Sequence, residues 1–172
     1  MPHISHKRRS VRLKQYNYST PGYYYVTICT HNNKHIFGKI KNDEMVLNKF
    51  GEIVQNEWTK TKQLRDNVDL DQFAIMPNHI HGIIILCRGT ARRAPTFEQF
   101  GKPTHNSLPT IIRGFKSGAT KHINIFRNTP GKHVWQHNYY ERIIRSDNEL
   151  HKIREYINNN PINWALDKYN VL

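Results

Sequence analysis

The stretch FAIMPNHIHGIIIL, residues 73–86, constrains the fold of this chain more than any other. Two short apolar runs are broken by Pro77-Asn78, a turn signal, and the residues after the break are β-branched. The pattern predicts a strand, a tight turn and a second strand that opens with His79-Ile80-His81. Side chains at i and i+2 of a strand share a face, so both imidazoles are expected to project together. Gly82 beside them is expected to leave room for a close approach. Two imidazoles on rigid backbone can supply two metal ligands. Buried strand histidines that only satisfy backbone groups are the commoner case, so the pair alone names neither a metal nor a chemistry.

Around this hairpin the chain reads as one domain, residues 16–172, behind a basic arm, residues 1–15. At 172 residues it is long enough to bury a core. Residues 23–30, YYYVTICT, read as the first strand, and 36–40 with 44–47 as a short hairpin. A helix over 48–64 follows, with Phe50, Ile53, Val54, Glu57 and Trp58 at helical spacing. Residues 67–76 form the next strand. Residues 88–106 have no period and read as a long mobile loop. A second helix over 107–126 carries an apolar stripe from Leu108 to Phe126. The aromatic segment 134–144 holds a last strand. Ser146 with Glu149 marks a capping box, and Pro161 ends the final helix near Asn160. Two βαβ halves plus a closing helix give an α+β, ferredoxin-like split βαβ with a central antiparallel sheet.

The formal charge of +13 points to a polyanionic partner, nucleic acid first and an anionic membrane surface second. No apolar run approaches the ~20 residues of a spanning helix, and the N-terminus lacks the apolar core of a secretory signal. Cys29 and Cys87 read as reduced thiols of a cytosolic protein, neighbours only if their strands pair. Candidate phosphate contacts are Arg8, Arg9, Arg12 and Lys14 in the arm, Arg92 and Arg93 in the loop, and Arg113, Lys116 and Lys121 on the second helix. The arm is otherwise a solvated tail, and the helix cations otherwise a solvated face. Tyr16, Tyr18, Phe97 and Trp135 could stack on bases or simply pack.

On the final helix Leu150, Ile153 and Ile157 form the packing stripe. Tyr156 lies ~60° from Ile153, at the stripe's edge, and Asn160 follows at i+4 on the same face. Combined with the His pair on so basic a chain, these residues suggest one chemistry. His79 and His81 hold a divalent cation, Asn160 adds a carbonyl oxygen, and the Tyr156 phenol attacks a phosphate. Two histidines and an amide make a poor zinc set, so Mg²⁺ or Mn²⁺ fits better. Tyr139 and Tyr140 stay open as alternative nucleophiles.

MPNHIHGIIIL, the opening RRSVRLKQYNYSTPGYYYVTICT and the closing WQHNYYERIIRSDNELHKIREYINNNP closely resemble the REP-associated tyrosine transposases. These are relatives of the insertion-sequence single-strand transposases within the HUH endonuclease superfamily. The resemblance covers nearly the whole chain. It implies metal-dependent cleavage and rejoining of single-stranded DNA beside palindromic hairpins through a 5′-phosphotyrosine link. It implies that His79 and His81 are the HUH pair, Tyr156 the nucleophile, Asn160 the polar third ligand, and the basic arm a reader of the hairpin. It further implies a cytoplasmic, nucleoid-associated prokaryotic enzyme, either monomer or homodimer. The alternative is a protein that grips structured DNA or RNA without cutting it.

Overall fold

The structure, a computed structural model, describes residues 16–87 and 106–170. In chain order its elements are β1 (Gly22–Cys29), a hairpin of β2 (Gly38–Lys41) and β3 (Glu44–Leu47), α1 (Lys49–Gln63), β4 (Val68–Ile75), β5 (His79–Leu86), α2 (Leu108–Phe126), β6 (Tyr140–Ile144) and α3 (Asp147–Asn158). The basic arm, and the loop with Arg92, Arg93 and Phe97, lie outside the described residues. The four long-range strands form one antiparallel sheet in the order β4-β5-β1-β6. With α1 and α2 as its two crossovers, this is the split βαβ, ferredoxin-like arrangement.

Alternation along the strands sorts side chains onto two faces. Tyr24, Val26 and Ile28 of β1 and Ile80, Ile84 and Leu86 of β5 meet Trp58, Ile111, Phe115 and their neighbours on α1 and α2. The opposite face carries Tyr25, Ile83 and Ile144, which pack on Leu150 and Ile157 of α3. Each fully buried aliphatic side chain there contributes roughly 1.5–3 kcal/mol, enough to hold a single helix on this face. The first face is the core and the second carries the site.

Gly82 corrects one expectation. It sits one residue past His81 and therefore points to the core, away from the imidazoles. A Cβ there would come within 2.4 Å of the Trp58 ring. The glycine makes room for an indole, not for a ligand.

The helix ends follow local chemistry. Asn48 accepts from the backbone N–H of Phe50 and Gly51 at 2.9 and 3.1 Å and starts α1. At α3, Ser146 Oγ accepts from the Glu149 N–H at 3.2 Å. The Glu149 carboxylate reaches back to the N–H of Arg145 at 2.9 Å, one residue beyond the cap. Helix α3 stops at Asn158, so Asn160 lies just past its end.

β4 carries one extra residue between Leu70 and Phe73. A bulge re-aims side chains, and both residues in it grip α3. Asp71 accepts from Arg154, and Gln72 donates to the Asn158 side chain.

Other aromatic expectations resolve into packing. Tyr18 and Trp135 are buried in the main core, Trp135 against Phe37 and Phe115. Tyr16 packs edge-on against Tyr18, with ring centroids 5.0 Å apart. Phe126 closes no stripe: it is more than half exposed, its ring resting against Phe50. Cys29 pairs with His79, whereas Cys87 lies just beyond the other end of the same ladder. The two thiols are therefore far from neighbours, and both are free.

Candidate active site

The tight turn at Pro77-Asn78 brings β5 back so that His79 and His81 lie on the α3 face of the sheet. Their Nε2 atoms face each other at 2.9 Å. Both rings are buried. Burial, reinforced by the charges of His35 and Lys168, pushes His79 down to about 3. Burial and the neighbouring His79 hold His81 well below the ordinary imidazole range. Both rings are therefore neutral and can serve as ligands.

A second ring of contacts fixes their orientation. The Asn78 amide donates to the carbonyls of Asn33 and Tyr169 at 3.2 and 2.6 Å. Its Oδ1 therefore faces His79 Nδ1, 2.8 Å away, and accepts from it. That places the proton on Nδ1 and leaves the Nε2 lone pair free. His81 Nδ1 sits 2.9 Å from Thr27 Oγ1 and 2.8 Å from the Tyr25 hydroxyl. Partners of this kind set the tautomer and ring plane of a metal-binding histidine.

Tyr156, on α3, reaches into the same space. Its hydroxyl stands 3.4 Å from His81 Nε2, within one chain, and its side chain is 44% exposed. Burial and the Asp167 carboxylate raise the phenol's pKa, while a hydrogen bond from Asn160 and the charge of Lys168 act the other way. Tyr140 lines the same cleft, of about 580 Å³, with Tyr25, Arg142, Tyr156 and Asn160. Tyr139 packs against the main core on the opposite face. The structure thus brings His79, His81, Tyr156 and Asn160 together, with the Tyr156 hydroxyl on the Nε2 side of the pair and the Tyr25 hydroxyl on the Nδ1 side of His81.

One residue here had no signal in the sequence. After Pro161 the chain folds back, and Asp167 Oδ2 arrives 3.8 Å from His79 Nε2. One ligand atom each from His79, His81 and Asp167 lie within 4.8 Å of one another. The Tyr169 ring covers His79 at 4.7 Å between centroids. Asp167 supplies the carboxylate whose apparent absence had argued against zinc.

The donor set fits a divalent cation. Two nitrogens held at right angles about 2.1 Å from one ion would stand about 3 Å apart, close to the spacing of the two Nε2 atoms. Asn160 Oδ1 and Asp167 Oδ2 are both buried without a hydrogen-bond partner. Buried polar atoms are rarely left so, and a cation would satisfy both.

The phosphate-contact candidates on α2 fall into two kinds. Arg113 and Lys121 are exposed. Lys116 turns inward and donates to the carbonyls of Gln136 and His137 at 2.5 and 3.1 Å, and burial lowers its pKa to about 8.

No protein-family model matches the chain. Over 171 residues it is 42% identical to a Haemophilus influenzae protein named "Uncharacterized protein", covering 95% of this chain and 93% of that one. A solved structure of a REP-associated tyrosine transposase bound to a REP hairpin overlays it with a TM-score of 0.61. That overlay covers 93% of this chain and 76% of the other, at 16% identity. The chain belongs to one family with the Haemophilus protein, and its fold is that of the REP-associated tyrosine transposases. Within this fold His79 and His81 sit on β5 and Tyr156 on α3 of one chain. No helix among the described residues is long and apolar enough to cross a membrane.

Proposed function

We propose that this chain is a metal-dependent, transposase-type enzyme that cleaves and rejoins single-stranded DNA beside palindromic hairpins. The observation that carries this reading is the phenol of Tyr156 beside the facing Nε2 pair of His79 and His81, in one cleft. The likeness to a fold seen bound to a REP hairpin and the charge of +13 support DNA as the partner. The enzyme acts in the cytoplasm, at the nucleoid of a prokaryote, as a monomer or a homodimer.

His79, His81, Asp167 and Asn160 would hold the cation. Imidazole and oxygen donors together suit Mn²⁺ better than Mg²⁺. When bound, the cation supplies Lewis-acid polarisation of the scissile phosphate and favours the phenolate. Tyr156 Oη attacks phosphorus, and the phenol proton passes to water in the open cleft. The Oη–P bond forms as the P–O3′ bond breaks, and the 3′ oxygen leaves as a hydroxyl. The 5′-phosphate stays on Tyr156, so a second 3′-hydroxyl can reverse the step and join a new strand. Asn160 donates to the phenol and steadies its ionised form. Tyr25 and Thr27 keep His81 in the ligating orientation.

A second reading, binding without cleavage, draws support from one observation: Asp167 and Tyr169 cover the imidazoles. It predicts hairpin binding that falls steeply with salt and no covalent adduct. The test is a metal-dependent protein–DNA adduct on hairpin oligonucleotides, present with the wild type and lost with Tyr156→Phe.

A further inference from the structure

Asn78 keeps the proton of His79 on Nδ1, and part of what holds Asn78 lies outside the cleft. Its amide donates to two carbonyls, those of Tyr169 and Asn33. Tyr169 belongs to the segment that folds back after Pro161, whereas Asn33 belongs to the turn that follows β1. Asn32 and Asn33 stand in succession in the left-handed region, at φ 57° and 52°. Asparagine tolerates that conformation better than most residues with a Cβ. The turn brings the Asn33 carbonyl to Asn78 and the Asn33 side chain to Gln136.

Gln136 Nε2 donates to Asn33 Oδ1 at 2.8 Å, across 103 residues of sequence. Its own backbone is held twice. The Gln136 N–H donates to the Cys29 carbonyl at 2.9 Å, and the Gln136 carbonyl accepts from Lys116 Nζ at 2.5 Å. Cys29 is the register partner of His79, so Gln136 is tied to the same rung of the sheet as the ligand. The turn is clamped to that rung as well. The Thr30 N–H donates to the Asn78 carbonyl and the His31 N–H to the Val134 carbonyl, both at 2.8 Å.

A continuous path therefore runs from Lys116 through Gln136, Asn33 and Asn78 to His79. Neither Asn33 nor Gln136 lines the cleft. The path decides which way the Asn78 amide faces. Turned over, the amide would set its oxygen against the Asn33 and Tyr169 carbonyls, which can only accept. It would also offer an N–H to His79 Nδ1 and so move the imidazole proton to Nε2, the atom that faces His81.

We propose that Asn33 and Gln136 are positioning residues for His79. Together they hold the Asn78 amide so that the imidazole proton stays on Nδ1 and the Nε2 lone pair stays open to a cation. The inference rests on the reading of the His pair as a metal site. It also gives the inward turn of Lys116 a role, the anchor at the far end of the path.

The test begins with the metal-free full chain. Two-bond ¹H–¹⁵N correlations on protein with ¹⁵N-labelled histidines report which nitrogen of His79 carries the proton. The wild type should show Nδ1–H alone. Gln136→Met keeps the length of the side chain without its donor, and Asn33→Gly keeps the left-handed turn without its acceptor. Each should show a mixture that includes Nε2–H. Asn33→Asp retains the acceptor and should retain the wild-type tautomer, which separates a lost hydrogen bond from lost folding. Mn²⁺ affinity by calorimetry should fall about three- to tenfold in Gln136→Met and in Asn33→Gly. The double variant should lose no more than either single one, because both cut the same contact. An unchanged His79 tautomer in both single variants, or losses that multiply in the double variant, would overturn the proposal. If the wild type binds no Mn²⁺ and the tautomer still shifts in Gln136→Met, the positioning stands and the metal reading falls.

Discussion

Arg154 of α3 forks onto Asp71 in the β4 bulge, with Nε 3.0 Å and Nη2 2.5 Å from the carboxylate oxygens. The contact ties the helix to the sheet edge two residues before Tyr156. The guanidinium holds the Asp71 carboxyl below its ordinary range. Arg154 is nearly half exposed, so solvent screening limits the pair to about 1 kcal/mol.

Asp71→Asn should lower the Tm by about 2–4 °C at neutral pH. Adduct yield should fall further than stability does, because the tyrosine loses its anchor. A carboxyl whose folded pKa is depressed stabilises above its unfolded pKa and loses that contribution as pH falls through the folded value. The Tm gap between wild type and variant should therefore close below about pH 4. Thermal melts across pH decide this; a gap that persists unchanged in acid means that the pair acts through packing alone.

Gly82→Ala tests the face assignment. The added methyl must displace the Trp58 ring, which is itself held by Phe73 and Phe115. Overpacking of this kind costs about 1–3 kcal/mol, readable by chemical denaturation. Metal affinity of the folded fraction should be unchanged, since the glycine faces away from the site. A variant that keeps full stability but loses metal would reverse the assignment.

Asp167→Ala should weaken Mn²⁺ binding by calorimetry, by about 10–100-fold if it is a ligand or its close support. His79→Ala should remove measurable binding, and EDTA should abolish adduct formation by the wild type. Unaltered Mn²⁺ affinity in Asp167→Ala would leave Asn160 as the oxygen donor and make Asp167 only a cover over His79.

The order of strands and helices was legible because each element carries its own periodicity and its own stops: Asn48, Pro77-Asn78, Ser146 and Pro161. That His79 and His81 share a face followed from strand spacing, and that Tyr156 and Asn160 share one followed from helix spacing, whereas the choice of Tyr156 over Tyr139 and Tyr140 rested on the resemblance of its segment. Alternation also places Gly82 opposite His81, and the expectation of a ligand-side opening overlooked it. Asp167 and Tyr169 were out of reach. They follow Pro161 in a segment without period, and only chain reversal brings them to His79. Trp135 and Tyr18 look like stacking platforms in a basic sequence, but nothing local tells an exposed ring from one packed against Phe37 and Phe115 or against Tyr24. Lys116 reads as a phosphate-contacting or solvated cation, because its carbonyl partners lie twenty residues on.

The measurement closest to the central claim is a denaturing gel of protein mixed with end-labelled hairpin oligonucleotides and Mn²⁺. Wild type, Tyr156→Phe and Tyr140→Phe would be run side by side. The account predicts a labelled band at protein mass for the wild type and Tyr140→Phe that disappears without metal. It predicts none for Tyr156→Phe, although that variant still binds the hairpin. An adduct that survives Tyr156→Phe, or no adduct from any protein that binds the DNA, would contradict it.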